Sequence, residues 1–514
     1  MILSIIILLI VDFRIAWSLV AVGCALFIVL SMQKRDLIGG NKLVLAMFFL
    51  AISLLFIFFN FQFSNFISRP IEVYLNQRAS LDIAVNTLKE RPIFGSGPGT
   101  FSYDFSKFKG NDLNQTLLWN VRFEGAGSKM MNVLTETGVL GFVSYIFFLI
   151  VFFFSGLLFF LRGRKQSSEE ESEENKLSWI VGAGAFISFI SLIVSYCFYN
   201  SNMTIDFLLF LLLAVMSIVF YPDKKEIELK TSSIPTLTLT FILMVAFIAS
   251  LGVLISGAQK YAAEVYYFNA LSLQNTGKID AALANGEKAV AMNQKSDVLA
   301  RDLAQIYLAK LNTEVNRKDI PASQVGQNAQ KLVQLANNSV QRAISLNSFD
   351  PLNWSVKGYI SLNLIPLYIG FDEEAIKAYD EAIKLEPSNP YYQVQEGIVF
   401  LTSASQLKED QKADKEKKLA DAEAKFKKAI ELKSDYATAL YQLSVVYQMQ
   451  GKTNEAIAEL LKAEAAAPYD VGLIFQLGIV YYGNQKYDLA RQEFEKAVNI
   501  NPQYSNALYF LGLT

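Results

Sequence analysis

The chain between Arg78 and Gly141 reads RASLDIAVNTLKERPIFGSGPGTFSYDFSKFKGNDLNQTLLWNVRFEGAGSKMMNVLTETGVLG. It is far more polar than the apolar runs on either side, and Gly95–Gly99 holds three glycines and a proline in five residues. Irregular backbone is not stable against lipid, because its N–H and C=O groups would lack partners there. We therefore expect this stretch to lie in water or over a protein cavity, between membrane-spanning helices.

Apolar runs surround this loop, and most of them reach the roughly 20 residues that a spanning helix needs. They are Ile2–Val11, Ile15–Met32, Leu43–Phe61, Val139–Leu161, Leu177–Tyr199, Thr204–Tyr221 and Ile234–Ser256. The first run is short and lacks both the basic region and the cleavage site of a signal peptide. It is interpreted as the end of a longer span, so the chain is expected to be truncated at its N-terminus.

Lysines and arginines cluster in the short connections 33–42, 162–176 and 222–233. An even number of spans separates these connections, so all of them can face the cytoplasm together, as the positive-inside rule requires. The long loop Gln62–Gly138 is then predicted to lie outside the cytoplasm, and so is everything that follows Ser256.

The composition excludes several classes of protein. Hydrophobic residues make up 52% of the chain and charged residues 18%, which indicates a membrane part joined to a soluble part. A net charge of −2 gives no reason to expect a nucleic-acid partner. Cys24 and Cys197 both fall in apolar runs, and a disulfide framework is not expected. The chain has no histidine, the commonest metal ligand, and we expect neither a metal nor a cofactor.

The second half of the chain repeats itself every 34 residues. The spacing joins Ala422, Ala456 and Ala490; Phe426, Leu460 and Phe494; Ser434, Pro468 and Pro502; and Ser444, Gly478 and Gly512. This period, with small residues where paired helices touch, is typical of tetratricopeptide repeats. Weaker copies lie around Ala282 and Ala375. The prediction is an all-α protein with a polytopic transmembrane domain over 1–257, outer loop 62–138, and an extracytoplasmic α-solenoid over 258–514 that is truncated at its C-terminus.

The loop also resembles a known family. ERPIFGSGPGTF, the closing run TETGVLG at Thr135–Gly141 and the preceding Arg78 are similar to the signature of the O-antigen ligase and polymerase superfamily. Phe13–Trp17 resembles a further family element, with Phe13 where serine is usual. The resemblance implies a glycosyltransferase of the bacterial cytoplasmic membrane that moves a glycan off a polyprenyl diphosphate carrier. The family's histidine aligns with Gly127, so its role as a base must fall to another residue or be lost.

The resemblance and the residue chemistry together give the candidate site. The catalytic candidates are Glu124, Arg122 and Arg78, and the candidates for binding the donor are Arg14, Arg78, Arg91, Gly95, Gly97, Gly99 and Trp119. Fixed guanidinium groups can stabilise a departing diphosphate, and a desolvated glutamate can act as a base.

All of these candidates except Arg78 also have a purely structural interpretation. Arg14 can reach the lipid headgroups, Arg91 can cap a helix, Arg122 can pair with Glu124, the glycines can form a tight turn, and Trp119 can belong to an interfacial aromatic belt.

Two functional hypotheses follow. In the first, the chain is a metal-independent glycan ligase or polymerase, and its repeats bind a protein or glycan acceptor. In the second, the transferase domain is degenerate and serves as a membrane scaffold that presents the repeats for envelope assembly. The absent histidine favours the second hypothesis, and the retained arginines and TETGVLG favour the first.

Overall fold

The computed structural model describes residues 8, 14–33, 38–59, 73–163, 173–221 and 234–514, and these residues form helices and no strand. The all-α prediction is therefore confirmed for the part of the chain that the structure describes. The first apolar run, Ile2–Val11, lies outside the described residues except for Leu8, and so do Asp12 and Phe13.

The chain divides into two compact units. Unit 1 comprises Met1–Phe108 and Arg122–Glu228, and unit 2 comprises Lys109–Val121 and Leu229–Thr514. This division differs from the expected boundary between residues 257 and 258, because the last apolar run and the first helix of the repeats form one continuous helix. A short segment of the predicted outer loop also belongs to unit 2.

Unit 1 contains seven of the described helices. They are α1 (Arg14–Ser31), α2 (Gly40–Phe58), α3 (Gln77–Glu90), α4 (Phe101–Phe108), α5 (Lys129–Gly163), α6 (Glu173–Phe198) and α7 (Met203–Phe220). Five of them, α1, α2, α5, α6 and α7, are long and apolar enough to cross a membrane, as predicted. The polar helices α3 and α4 come from the glycine-rich loop.

Aromatic side chains fill the space where α5, α6 and α7 pack. Phe160, Phe186 and Met216 are buried in one cluster. Gly156 of α5 faces Phe186 of α6 so closely that a Cβ on the glycine would lie 2.4 Å from the ring. Small residues at such positions let membrane helices approach each other, and Gly156 does so for α5 and α6.

Unit 2 is a solenoid of paired helices. Its helices are α8 (Ile234–Asn275), α9 (Ile279–Met292), α10 (Asp297–Glu314), α11 (Ala322–Leu346), α12 (Pro351–Leu364), α13 (Phe371–Leu385), α14 (Pro390–Gln406), α15 (Lys412–Leu432), α16 (Ala437–Met449), α17 (Thr453–Ala466), α18 (Val471–Gly483), α19 (Tyr487–Ile500) and α20 (Ser505–Leu513). The apolar first part of α8 is the sixth candidate span. At 1.5 Å per residue, this helix is roughly 60 Å long, enough for a span and a repeat helix.

The repeats pack through the positions that the sequence spacing singled out. Ala422, Ala456 and Ala490 are fully buried. Gly478 of α18 packs on Phe494 of α19, where a Cβ on the glycine would lie 2.5 Å from the ring. This close approach accounts for the small residue at this position of the repeat.

Candidate functional site

The glycine-rich turn of the predicted loop is bound to the start of α5. Ser96 N donates to the carbonyl oxygen of Thr135 at 3.2 Å, and Gly97 N donates to that of Glu136 at 2.8 Å. In return, Val139 N donates to the carbonyl oxygen of Pro92 at 3.0 Å. The two sequence runs that carry the family resemblance therefore contact each other through their backbones.

Helix α5 is kinked where it receives the turn. Gly138 has φ 66° and ψ −169°, which interrupts the helical hydrogen bonding. The interruption frees carbonyl and N–H groups of the TETGVLG run, and these are the groups that bond to residues 92–97. Gly95 lies against Gly138 in the same contact, with φ +65°. Glycine permits this backbone conformation at both positions without a Cβ clash.

Asp104 of α4 lies beneath the turn. Its carboxylate is buried and accepts a hydrogen bond from the Ser96 hydroxyl, which in turn accepts one from Thr100 Oγ1 at 2.7 Å. Burial raises the pKa of Asp104, and the hydrogen bond from Ser96 and the charge of Arg91 oppose that rise. Asp104 is not among the predicted site residues, although an acidic residue just after a glycine-rich turn could have drawn attention to it.

The predicted donor-binding glycines have different environments. Gly95 is buried against α5, and Gly97 has its N–H bonded to Glu136, so both are accounted for by the packing of the turn. Gly99 is exposed, has φ +73°, and has open space where a Cβ would be. Gly99 is thus the glycine of this run whose surroundings leave room for a ligand.

Gly127, which aligns with the family's histidine, is tightly packed. A Cβ at this position would lie 2.1 Å from the carbonyl oxygen of Leu75. The backbone is held there by Ser80 Oγ, which accepts from Gly127 N at 2.8 Å, and by Gln77 Nε2, which donates to Gly127 O at 3.0 Å. A side chain of any size is sterically excluded from this position unless the backbone at Leu75 moves.

A cavity of about 280 Å³ lies beside this packing in unit 1. Its lining includes Tyr74, Phe123, Glu124, Tyr199, Asn200 and Asn202. That volume is near the lower limit of small-molecule sites, roughly 300–1,000 Å³. Glu124 is exposed at the cavity. The prediction that its carboxylate is buried and desolvated is therefore wrong for this structure. The cavity nevertheless combines aromatic faces, amides and a carboxylate, which are groups that can bind a sugar ring.

The four predicted arginines occupy different environments. Arg14 is the exposed first residue of α1, and Arg78 is exposed in the first turn of α3. Arg91 is the C-cap of α3, with its backbone N–H bonded to the Thr87 carbonyl oxygen at 2.8 Å, which agrees with the capping interpretation. Its Nη1 donates to the Ser96 carbonyl oxygen of the glycine-rich turn at 3.4 Å. Arg122 is half-buried, with its guanidinium carbon 5.5 Å from the centre of the Tyr103 ring.

An ionic network that was not predicted from the sequence joins the start of α5 to α7. Lys129 Nζ lies 2.9 Å from Asp206 Oδ2, and the Tyr196 hydroxyl donates to Asp206 Oδ1 at 2.9 Å. Asp206 was detectable as an ionisable residue within the apolar run Thr204–Tyr221. Such residues are candidates for function by default, although this one is already paired.

Trp119 is placed in unit 2 rather than with the other candidate site residues. Its ring centre lies 5.1 Å from that of Tyr436, in the turn between α15 and α16. Trp119 therefore contacts the repeats, and this contact explains its aromatic side chain without a sugar ligand.

The repeats contain a cavity of about 720 Å³ that is rich in positive charge. Lysines 408, 412, 415 and 452 line it, together with Glu416 and the apolar side chains of Leu419 and Met449. An excess of lysine in a concave surface favours an acidic partner.

Three or more potential metal-ligating side chains do not cluster anywhere in the described ranges.

These features define a multi-pass membrane protein whose C-terminal part consists of tetratricopeptide repeats. Tetratricopeptide-repeat family profiles match residues 413–471 and 472–504. No curated protein matches the chain.

Several solved repeat proteins are similar to part of the chain. A thermophilic TPR protein of Thermus thermophilus is 19% identical, with a TM-score of 0.30, over 37% of this chain and 93% of that one. PilF of Pseudomonas aeruginosa is 14% identical, with a TM-score of 0.34, over 50% and 100% of the two chains. PilW, described as a type IV pilus biogenesis factor, is 14% identical, with a TM-score of 0.35, over 49% and 98%. These likenesses are limited to the repeat fold.

Proposed function

We propose that the chain is a membrane glycosyltransferase of the O-antigen ligase and polymerase type, which transfers a glycan from a polyprenyl diphosphate carrier to an acceptor. The observation that carries the proposal is the contact between the two motif runs. Residues 92–97 and Thr135–Leu140 are distant in sequence, yet they share backbone hydrogen bonds in both directions. Sequence runs that resemble one family and that fold against each other support a common origin more strongly than either run alone.

The cavity in unit 1 is the proposed sugar site. Tyr74 and Tyr199 would provide faces for a sugar ring, and Asn200 would bond to its hydroxyls. Glu124 would take the proton of the acceptor hydroxyl, because the chain has no histidine to do so. Arg78 would stabilise the diphosphate as negative charge develops on it.

The proposed location is a bacterial cytoplasmic membrane, with the outer loop and the repeats outside the cytoplasm. The basic residues in the short connections support this orientation. The lysine-lined cavity would then bind an acidic protein or glycan acceptor. Protease added to intact spheroplasts should remove the repeats, and survival of the repeats until lysis would contradict the orientation.

The test is loss of polyprenyl-diphosphate-linked glycan in vesicles that contain the full chain. We expect Glu124→Gln to lower turnover by about a hundredfold, the usual scale for loss of a general base, with donor binding little changed. Glu90→Gln is the matched control, because Glu90 is the last residue of α3, pairs with Lys107 at 2.6 Å and does not line the cavity. Arg78→Ala should weaken both donor binding and turnover, whereas Lys89→Ala on the same helix should change neither.

A membrane scaffold without catalysis is the second candidate function. The packing of Gly127 against Leu75 favours it, because the position that aligns with the family's histidine has no room for a side chain. In that case the wild-type chain would transfer no lipid-linked glycan, and all four variants would behave alike. The repeats would still bind a protein partner.

A further inference from the structure

Residues 109–121, here called the docked segment, belong to the repeat unit although they lie in the middle of the predicted outer loop. In sequence they follow Phe108 and precede Arg122, both of which are in unit 1. The segment contains a short 3-10 helix, Asn111–Gln115, and then a series of turns. A loop of the membrane-domain sequence thus supplies a structural element of the solenoid.

Asn114 joins the docked segment to two successive repeats. Its side chain is completely buried, and Nδ2 donates to the carbonyl oxygen of Ser388 at 2.7 Å and to that of Leu432 at 3.2 Å. Leu432 is the last residue of α15, so its carbonyl has no partner within the helix. The two N–H groups of one amide therefore bond to carbonyls in two turns that are far apart in sequence.

Lys433 and Tyr436 bind the docked segment from the turn between α15 and α16. Lys433 is buried, and its Nζ donates to the carbonyl oxygen of Asn114 at 3.1 Å and lies 5.8 Å from the centre of the Trp119 ring. The residues one and two repeats further on, at the 34-residue spacing, are Ala467 and Asn501. Among these three equivalent positions, only the turn that contacts the segment has a positively charged residue, Lys433.

Lys109 stabilises the conformation of the docked segment through a contact within the segment. It is buried, and its Nζ donates to the carbonyl oxygen of Trp119, which closes the segment into a loop. Burial lowers the pKa of Lys109, and the negative charge of Glu386 in the turn after α13 opposes that change. Burying a polar group is unfavourable unless it finds a partner. Lys433 pairs with Asp435 in its own turn and also donates to the segment, and both N–H groups of the Asn114 amide are bonded to the repeats, so these contacts favour this occupant.

We propose that the turns 386–389 and 432–436 form a recognition site on the repeats, and that its occupant is the chain's own segment 109–121, bound in cis. The site recognises an asparagine, Asn114, and an aromatic residue five positions later, Trp119. This inference does not depend on glycan transfer. It implies that the outer loop and the repeats are coupled. Release of the segment would change the conformation of the loop and would expose the turns 386–389 and 432–436 of the repeats.

Crosslinking in the full-length chain tests the register of the contact. Gln115 Oε1 lies 3.5 Å from Ser434 Oγ, and both residues are exposed. In a chain with Cys24 and Cys197 replaced by alanine, Gln115→Cys with Ser434→Cys should react with a short bis-maleimide within one chain. Pro468 occupies the equivalent place one repeat further on, so Gln115→Cys with Pro468→Cys is the matched control.

The outcomes of crosslinking are distinct. Equal reaction of the two pairs would overturn the register. When chains carrying only Gln115→Cys are mixed with chains carrying only Ser434→Cys, a crosslinked dimer as abundant as the intramolecular product would overturn binding in cis. The proposal expects an internal crosslink with Ser434→Cys alone.

Hydrogen exchange of the full chain in detergent tests the recognition itself. Asn114→Ala should speed exchange of the segment's amides by about tenfold or more, because two hydrogen bonds to buried carbonyls are lost. Asn120→Ala, at an exposed asparagine of the same segment, is the matched control and should leave exchange unchanged. Lys433→Met should also speed exchange of the segment, although the substitution lies in the repeats.

Exchange in α18 and α19 shows whether the repeats remain folded. We expect it to be unchanged in all of these variants. If α18 and α19 lose protection from exchange when the segment does, residues 109–121 are part of the core of the repeats and not a ligand bound to them. Equal effects of Asn114→Ala and Asn120→Ala would overturn the recognition by Asn114.

Discussion

Gly95 and Gly138 pack so closely that neither position has room for a Cβ atom unless the backbone moves. A Cβ on Gly95 would lie 2.5 Å from Gly138 N, and a Cβ on Gly138 would lie 2.5 Å from Gly95 N. Both residues also have φ near +65°, at +65° and +66°. The glycine of the GSGPG run and the glycine of the TETGVLG run are therefore required by the same contact.

Gly138→Ala should destabilise unit 1 severely. The substitution combines left-handed backbone strain with a backbone clash, together about 3 kcal/mol or more. Gly99→Ala is the matched control, because Gly99 has φ +73° but open space around its Cβ position. We expect it to cost only the strain, about 1–2 kcal/mol. Thermal unfolding of the full chain in detergent, followed by intrinsic fluorescence, measures both. Equal losses would show that the contact adds nothing to the strain.

The buried carboxyl group of Asp104 should make stability depend on pH. Burial raises its pKa in the folded chain, so the folded state binds a proton more tightly than the unfolded state does. Stability should then fall as the pH rises from the ordinary aspartate pKa through the raised one. Asp104→Asn, which keeps an acceptor for Ser96, should remove this part of the dependence. The thermal midpoint, measured between about pH 4 and pH 7, checks it. An unchanged profile in Asp104→Asn would contradict the assignment.

The repeats and the apolar helices were predictable, because each depends on a local pattern. The 34-residue spacing placed Ala422, Ala456 and Ala490 in the core, and all of them are fully buried. The contact of Gly95 with Gly138 could not be derived from either run alone, since it joins two backbones that are distant in sequence.

The placement of Trp119 shows why the site was harder to predict than the fold. Its neighbours in sequence belong to the outer loop, whereas its neighbours in space are Tyr436 and Lys433 of the repeats. A linear division of the chain into a membrane half and a soluble half assigns each residue by its position in sequence. Asn114 and Trp119 depart from that division, and no pattern within residues 109–121 identifies the distant turns that they contact.

Gly478→Trp should damage the solenoid locally. Gly478 packs on Phe494, and overpacking in a close-packed interior costs about 1–3 kcal/mol. Gly483 is the matched control, because it is exposed near the end of the same helix and a Cβ there would meet open space. Hydrogen exchange should show faster exchange in α18 and α19 for Gly478→Trp and little change for Gly483→Trp. Unaltered protection in Gly478→Trp would mean that the helix register is wrong.

Gly127 occupies the position that the resemblance aligns with a histidine. Gly127→His restores the imidazole but should not restore its chemistry, because the first side-chain atom would lie 2.1 Å from the Leu75 carbonyl oxygen. Ser80 and Gln77 hold Gly127 in place from two directions, so the backbone cannot move without breaking those hydrogen bonds. We expect a loss of about 3 kcal/mol or more in unfolding free energy and no gain in turnover. Gly110→His is the control, because Gly110 is exposed and has open space around its Cβ position. A Gly127→His chain that is as stable as the wild type and transfers glycan faster would show that Leu75 yields to the side chain. The base would then be an imidazole supplied at this position, and Glu124 would lose its proposed role.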